Sequence, residues 1–143
     1  MTDLLIVGKR ALAAQPFSRL LGAELTEFSA ELVEIVVPIT EQIKQQNGFV
    51  HGGVISYAAD NALTFAGGAA LGAAVVTSEY KINYLKPGIG AKLIARAMVI
   101  HAGKNQVVCR CDVFAVGADG AEILCAAAQG TIVKLPDRSA RDV

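Results

Sequence analysis

A single acidic residue inside a long apolar segment is the first candidate for chemistry. The segment 54–71 is long enough for a helix and apolar on nearly every side, which predicts a buried helix. Asp60 lies in its middle, and four-residue spacing places Ser56 and Thr64 on the same face. A carboxylate in such a place is costly unless it is paired or used. We expect Asp60 to act as a general base or a nucleophile, with a structural ion pair as the alternative.

The residues before this helix offer a complementary group. Gly52 and Gly53 free the backbone at the predicted helix entrance, where a helix start leaves unpaired N–H groups directed outward. Such groups stabilise the oxyanion that develops when an ester or thioester carbonyl is attacked. Thr64, one turn after Asp60, and Thr77, in the next predicted strand, are placed to orient the water or the carboxylate. The pattern favours acyl hydrolysis.

The spacing of the two groups has a consequence for assembly. Gly52 and Asp60 are eight residues apart on one helix, roughly 12 Å along its axis. They cannot both touch one carbonyl group, so if both act in one reaction, the Asp60 concerned must come from a second copy of the chain. A two-fold homodimer with shared sites is therefore predicted, alone or as a dimer of dimers. The hydrophobic content of 53% agrees with covered apolar surface.

The elements around this helix predict one α+β domain over residues 1–143. They begin with a helical segment within 1–22 and end with a polar tail at 136–143. Short turns favour antiparallel neighbours, so we expect an antiparallel β-sheet wrapped around the long central helix. The predicted strands are 24–28, 31–38, 77–85, 92–101, 106–116 and 122–134, with a turn of helix at 40–44.

Composition excludes several classes of function. Thirteen basic and thirteen acidic side chains give zero net charge, which argues against nucleic-acid or acidic-membrane binding. The first apolar run has the reverse charge order of a signal peptide, so we expect a cytoplasmic protein that does not insert into a membrane. Three cysteines and two histidines have no metal-ligand spacing. Neither a metal nor another cofactor is predicted.

The motif also resembles that of a known family. The run QQNGFVHGG at 45–53, followed by Asp-Asn-Ala at 60–62, is similar to the hotdog-fold acyl-CoA thioesterases, most closely the phenylacetate-degradation (PaaI) type. The resemblance continues through VTSEYKINYLKPG at 76–88 and covers most of the chain from about 23 to 134. It implies the hotdog fold and hydrolysis of an acyl-CoA to a carboxylic acid and free coenzyme A.

Carried over by position, the resemblance implies a role for each motif residue. The Gly52 N–H polarises the thioester carbonyl, and Asp60 of the partner subunit is nucleophile or general base. Gln45 holds the attacking water or the carbonyl, and His51 orients or donates a hydrogen bond. The helper hydroxyl comes from Thr64 or Thr77, since this chain has both. The implied substrate contacts are Asn47, Gly53, Asn61, Lys86, Lys104 and Arg110, the three cations for the phosphates of coenzyme A.

Two other functions stay open on the sequence. One is an acyl-thioester hydratase or dehydratase of the same fold, which needs a histidine base in a different motif context. The other is a non-catalytic acyl-CoA-binding protein. The sequence leaves the acyl specificity open, because the acyl pocket depends on residues that meet only in the folded assembly.

Overall fold

The structure, a computed structural model, describes residues 3–72 and 74–136. Within these residues six antiparallel strands form one sheet and a long helix packs against it, which confirms the predicted α+β architecture. The tail predicted at 136–143 lies outside the described residues, apart from Pro136. The elements are α1 (Leu4–Ala13), α2 (Pro16–Leu21), β1 (Glu24–Phe28), β2 (Val33–Pro38), a 3-10 turn (Glu41–Ile43), α3 (Gly52–Leu71), β3 (Val75–Tyr84), β4 (Lys92–Ala102), β5 (Gln106–Val116) and β6 (Glu122–Lys134).

The strand order is β1-β2-β4-β5-β6-β3, so consecutive strands are not always neighbours. The expectation that a short turn makes β3 and β4 neighbours is wrong, because β3 pairs with β6 and β4 pairs with β2. The connection 85–91 crosses the sheet end and bonds to other elements. Its Gly88 carbonyl accepts from Val50 N at 3.0 Å, and its Ala91 N donates to Val116 O at 2.8 Å. β3 is thereby left as an edge strand.

The central helix α3 lies against one face of the sheet and contacts β2 through β6. Small residues on one side of it are fully buried and permit a close approach. At Gly67 an added Cβ would lie 2.5 Å from Ile132 of β6, which leaves no room for a side chain. The prediction of all-round burial is wrong for the single chain, because the opposite side of α3, with Asp60, is only half-buried. The helix also begins earlier than predicted, at Gly52.

An ion cluster joins the strands on the outer face of the sheet. Arg96 Nε donates to Glu34 Oε2 at 2.8 Å, and its two terminal nitrogens donate to Glu122 at 2.6 and 2.7 Å. Its guanidinium also lies 5.1 Å from the centre of the Phe114 ring. Burial raises the pKa of Glu34, but the hydrogen bonds from Arg96 and Thr26 outweigh it and hold that pKa below its ordinary value. The cluster therefore ties β2 to β4 and β6.

Among the described residues, none of the helices combines the length and the apolar character that crossing a bilayer would require.

Candidate active site

Two threonine hydroxyls hold Asp60, one at its carboxylate and the other at its backbone carbonyl. Its Oδ1 accepts from Thr77 Oγ1 at 2.6 Å, while Thr64 Oγ1 donates to the Asp60 backbone carbonyl at 2.8 Å. The two hydroxyls lie 2.9 Å apart. Each hydroxyl has one hydrogen, so the two threonines cannot donate in all three contacts at once. When Thr64 donates to Thr77, Thr77 donates to the Asp60 carboxylate. Sequence reasoning offered the two threonines as alternatives, and the structure brings both to Asp60.

Asp60 has no basic partner in the part of the chain that the structure describes. None of the ion pairs among residues 3–72 and 74–136 includes it, and its Oδ2 accepts no hydrogen bond there. The structural alternative of a salt bridge with Lys or Arg therefore has no support within one chain. One carboxylate oxygen is fixed by Thr77 and the other is left available on the half-buried side of α3.

A β-bulge explains why Thr77 reaches the helix at all. Strict alternation along β3 would place Thr77 with Glu79 and Lys81, on the opposite side from Tyr80. The register with β6 shifts between Thr77 and Glu79: Thr77 pairs with Ile132, and Glu79, two residues later, pairs with the adjacent Thr131. A bulge re-aims the side chains beyond it. Thr77 thereby points to the same side as Tyr80, toward α3.

The start of α3 leaves one backbone N–H unused. His51 is the N-cap, and its Nδ1 accepts from Gly53 N at 2.9 Å. The Val54 N–H donates to the His51 carbonyl at 2.9 Å, but the Gly52 N–H has no acceptor among the described residues. The positive end of the helix dipole adds to this donor. Gly52 is the expected oxyanion donor, and His51 orients the turn around it rather than competing for it.

A cleft of about 320 Å³ opens at this helix start. Its lining includes Gln45, Gly52 and Lys86, three of the predicted site residues, together with Tyr84. The Tyr84 hydroxyl donates to the Gly52 carbonyl at 3.1 Å, and its ring lies 3.4 Å from where a Gly52 Cβ would be. Sequence reasoning missed Tyr84 as a site residue. The available signal was its place at the end of the strand that also carries Thr77.

The loop before the helix fixes Gln45. The Gln45 N–H donates to the Phe49 carbonyl at 2.8 Å, and Gly48, at φ +84°, donates back to the Gln45 carbonyl at 3.0 Å. The Gln45 side-chain oxygen accepts from the backbone N–H of Asn47. This leaves the Gln45 amide NH₂ as the group available to a ligand. Asn47 itself is exposed at the tip of the loop.

The structure separates several other predicted residues from this cleft. Asn61 Nδ2 donates to Gln15 Oε1 at 3.0 Å and to Tyr57 Oη at 3.1 Å, so its amide joins α3 to the α1–α2 junction. Lys104 is exposed in the β4–β5 turn, at the sheet end opposite to Gly52. Arg110 lies on the outer face, beside Lys81. Within one chain, therefore, Gly52 with Tyr84 and Asp60 with Thr77 form two separate clusters.

Comparison with known proteins gives the context for this geometry. A family model described as the thioesterase superfamily matches residues 47–120, more than half of the chain. A putative esterase of Haemophilus influenzae is 33% identical over 95 residues, which cover 65% of this chain and 69% of that protein. A medium/long-chain acyl-CoA thioesterase of Escherichia coli, YigI, is 26% identical over 127 residues, or 75% of this chain and 80% of that one.

Solved structures agree with the family match. A thioesterase family protein from Silicibacter pomeroyi superposes with a TM-score of 0.80 at 32% identity, covering 87% of this chain and 92% of that one. The Escherichia coli PaaI protein, from the phenylacetic acid degradation operon, superposes with a TM-score of 0.78. The match is 22% identical and covers 94% of this chain and 97% of that one, so it shows that the two proteins share a fold.

Proposed function

Because the chain belongs to the thioesterase superfamily and has its hotdog fold, we propose that it hydrolyses an acyl-CoA thioester to a carboxylic acid and free coenzyme A. The observation that carries this proposal is the pairing of an unused donor with an available base. Among the residues that the structure describes, the Gly52 N–H has no acceptor, and Asp60 has one oxygen fixed by Thr77 and one available. A polarised carbonyl and a carboxylate beside it are what acyl hydrolysis needs.

A two-fold homodimer would bring the two groups together. β3 is an edge strand whose outer backbone groups have no partner strand among the described residues. If two copies of β3 pair antiparallel about their centres, Thr77 comes within two residues of the partner's Tyr84. Thr77 touches Asp60 and Tyr84 touches Gly52. Each two-fold interface would therefore contain two sites, each made from both subunits, and two such dimers would make the tetramer.

In such a site each residue has a distinct task. The Gly52 N–H donates to the carbonyl oxygen as negative charge develops on it. Asp60 of the partner subunit either adds to the carbonyl carbon or takes a proton from a water that adds, and Thr77 stabilises its charge. The C–S bond then breaks and the coenzyme A thiolate takes up a proton. The general-base route gives the acid directly, whereas on the nucleophilic route water hydrolyses the acyl–Asp60 anhydride to release the acid and restore the carboxylate. The Gln45 amide positions the water or the carbonyl.

The contacts to coenzyme A form a separate part of the proposal. Lys86 lines the cleft at Gly52, where it can reach the phosphates of the substrate. Lys104 and Arg110 stay candidates only if the assembly brings the turn or the outer sheet face of another subunit to the cleft. Asn47 and Gly53 flank the same helix start.

The test is a matched pair of carboxylate variants. Asp60→Asn should lower kcat for acyl-CoA hydrolysis by about 10²–10⁴-fold, the usual effect of losing a general base, without changing the assembly. Asp112→Asn, on β5 and paired with Arg110, serves as the control and should keep wild-type turnover. Release of free thiol measures both. Undiminished hydrolysis by the Asp60 variant would contradict the mechanism.

Two assays separate the rival functions. Hydration of an enoyl-CoA in place of thiol release would identify a hydratase, although His51 Nδ1 is engaged as the helix cap. Tight acyl-CoA binding without product would identify a binding protein. We also propose a cytoplasmic location, which the three free and buried cysteines favour.

A further inference from the structure

A second cavity, of about 460 Å³, lies between α1 and α3, and we propose that it binds the acyl chain of the substrate and selects a linear aliphatic one. We call it the acyl groove. The inference rests on the proposed function, since it names the class of thioester that the site would take. It assigns a role to the N-terminal helical segment, for which the sequence offered none.

The walls of the acyl groove come from two helices with matching periodicity. One row of residues on α3 faces one row on α1, each at spacings of three or four. The α3 row runs from Asn61 to Gly72, so the groove is roughly 16 Å long by the rise of a helix. Its main lining residues are Val7 and Ala11 from α1, and Thr64, Phe65, Gly68 and Ala69 from α3.

Close packing and uncharged residues define the lining of the groove. At Gly8 an added Cβ would lie 2.5 Å from both Leu25 and Phe28, so that turn of α1 must rest directly on β1. Phe28 and Phe65 meet edge to face, with ring centres 5.4 Å apart, and close part of the wall. None of the described residues that line the groove is charged. A chain without polar groups is the ligand that this lining fits.

The groove is continuous with the proposed site. Thr64 lines it and also contacts Thr77 and the backbone of Asp60. Two of its polar residues, Asn61 and Thr64, are on α3 close to Asp60, and the third, Gln15, bonds to Asn61; the other lining residues are apolar. A thioester whose carbonyl lies at Asp60 can therefore extend its acyl chain from the polar end into the apolar part. A single aromatic ring would fill only one end of so long a groove.

A polar cluster holds the α1 wall in place. Ser18, only 1% exposed, donates to Gln15 Oε1 at 2.6 Å and lies 2.5 Å from Tyr57 Oη. Asn61 completes the cluster through Gln15 and Tyr57. Buried hydrogen bonds of this kind are costly to break, so the width of the groove is fixed by the fold.

A chain-length panel on the full chain tests the proposal. Saturated acyl-CoA substrates from acetyl to palmitoyl are compared by thiol release, with benzoyl-CoA as the aryl reference. In the wild type, kcat/KM should rise by about fourfold per added methylene until the groove is filled. Thiol release that does not depend on chain length would overturn the groove and leave the hydrolase intact. Absence of release from every substrate would overturn the hydrolase itself.

Neighbouring alanines supply a matched pair of variants. Ala69 lines the groove and Ala70, next to it on α3, is exposed and does not. Ala69→Leu should lower the ratio of kcat/KM for dodecanoyl-CoA to that for butyryl-CoA by about fifteenfold, the equivalent of two methylenes. Ala70→Leu should keep the wild-type ratio. Ala11→Phe, on the opposite wall, gives the same test if Ala69→Leu folds poorly.

Direct binding tests the groove even without turnover. Calorimetric titration with dodecanoate should show binding to the wild type and to Ala70→Leu, and at least about tenfold weaker binding to Ala69→Leu and Ala11→Phe. Equal affinity for dodecanoate in all four proteins would overturn the proposal. The proposal would also fail if a segment of the partner subunit filled the groove, so that kcat/KM of the wild type did not depend on acyl-chain length.

Discussion

The sharpest test of the oxyanion donor is a substitution that deletes one hydrogen bond donor and little else. Gly52 is the first residue of α3, where proline is well accommodated because no intrahelical bond uses its N–H. The preceding His51 has φ −59° and ψ 133°, the extended conformation that proline requires before it. Gly52→Pro therefore removes the free N–H and should preserve the helix. Gly52→Ala adds a similar Cβ against the Tyr84 ring and keeps the N–H.

The comparison of these two variants gives the magnitude. Loss of one oxyanion donor in an acyl-transfer enzyme costs about 10²–10³-fold in kcat. The kcat of Gly52→Pro should be lower than that of Gly52→Ala by this factor, and KM should change far less, because the N–H stabilises charge that develops only in the transition state. Both variants should melt close to the wild type. Equal activity of the two would refute the assignment of the Gly52 N–H.

Mixing the subunits tests whether the site is shared. When Gly52→Pro and Asp60→Asn chains are co-expressed in equal amounts, half of the dimers are mixed. If each site takes Gly52 from one subunit and Asp60 from the other, a mixed dimer has one intact site and one doubly defective site. The mixture should then recover about one quarter of the wild-type activity. If both groups came from one subunit, no intact site would form and activity would stay at the level of the parents.

Three further outcomes follow from the contacts. Thr77→Val removes the hydrogen bond to Asp60, and since a bond to a charged group contributes about 1.5–3 kcal/mol, kcat should fall about 10- to 100-fold. Because the pKa of Glu34 is lowered in the folded state, its ionised form stabilises the fold above the ordinary carboxyl pKa, and this contribution is lost as pH falls through the folded pKa. Glu34→Gln lacks this ionisable group, so the free energy of unfolding in urea should decline more steeply between about pH 7 and pH 3 for the wild type than for the variant. Burial raises the pKa of Cys109 to about 11, so the folded protein should not react with DTNB at pH 8, whereas protein unfolded in urea should react. The unreactive cysteines of the folded protein also keep the thiol-release assay free of background.

Sequence reasoning located the two chemical groups but could not assemble their surroundings. Asp60 and Gly52 stood out locally, one as a lone carboxylate and the other as a glycine at a helix entrance. Thr77 reaches Asp60 only because of a bulge, and a bulge is set by the pairing of β3 with β6 rather than by β3 itself. The same long-range pairing decides that β3 is an edge strand, which the short connection to β4 did not predict.

The acyl groove was out of reach of the sequence for a similar reason. Its two walls come from helices more than forty residues apart, and nothing in either helix alone shows that its row of small residues faces the other. Asn61 illustrates the limit, because its position beside Asp60 suggested a substrate contact. In the folded chain its amide bonds to Gln15 and Tyr57, so it contributes to the groove mainly by fixing the α1 wall.

β3 is the element that couples the fold to the proposed chemistry. One end of it holds the Asp60 carboxylate through Thr77, and the other end holds the Gly52 peptide through Tyr84. Its free edge is also the surface that most needs a partner, since an unpaired strand edge invites association. Antiparallel pairing of two such edges would bring opposite ends of β3 together. Protecting the edge and completing the two sites would then be the same event, so a variant that keeps β3 from pairing should lose activity even with every catalytic side chain in place.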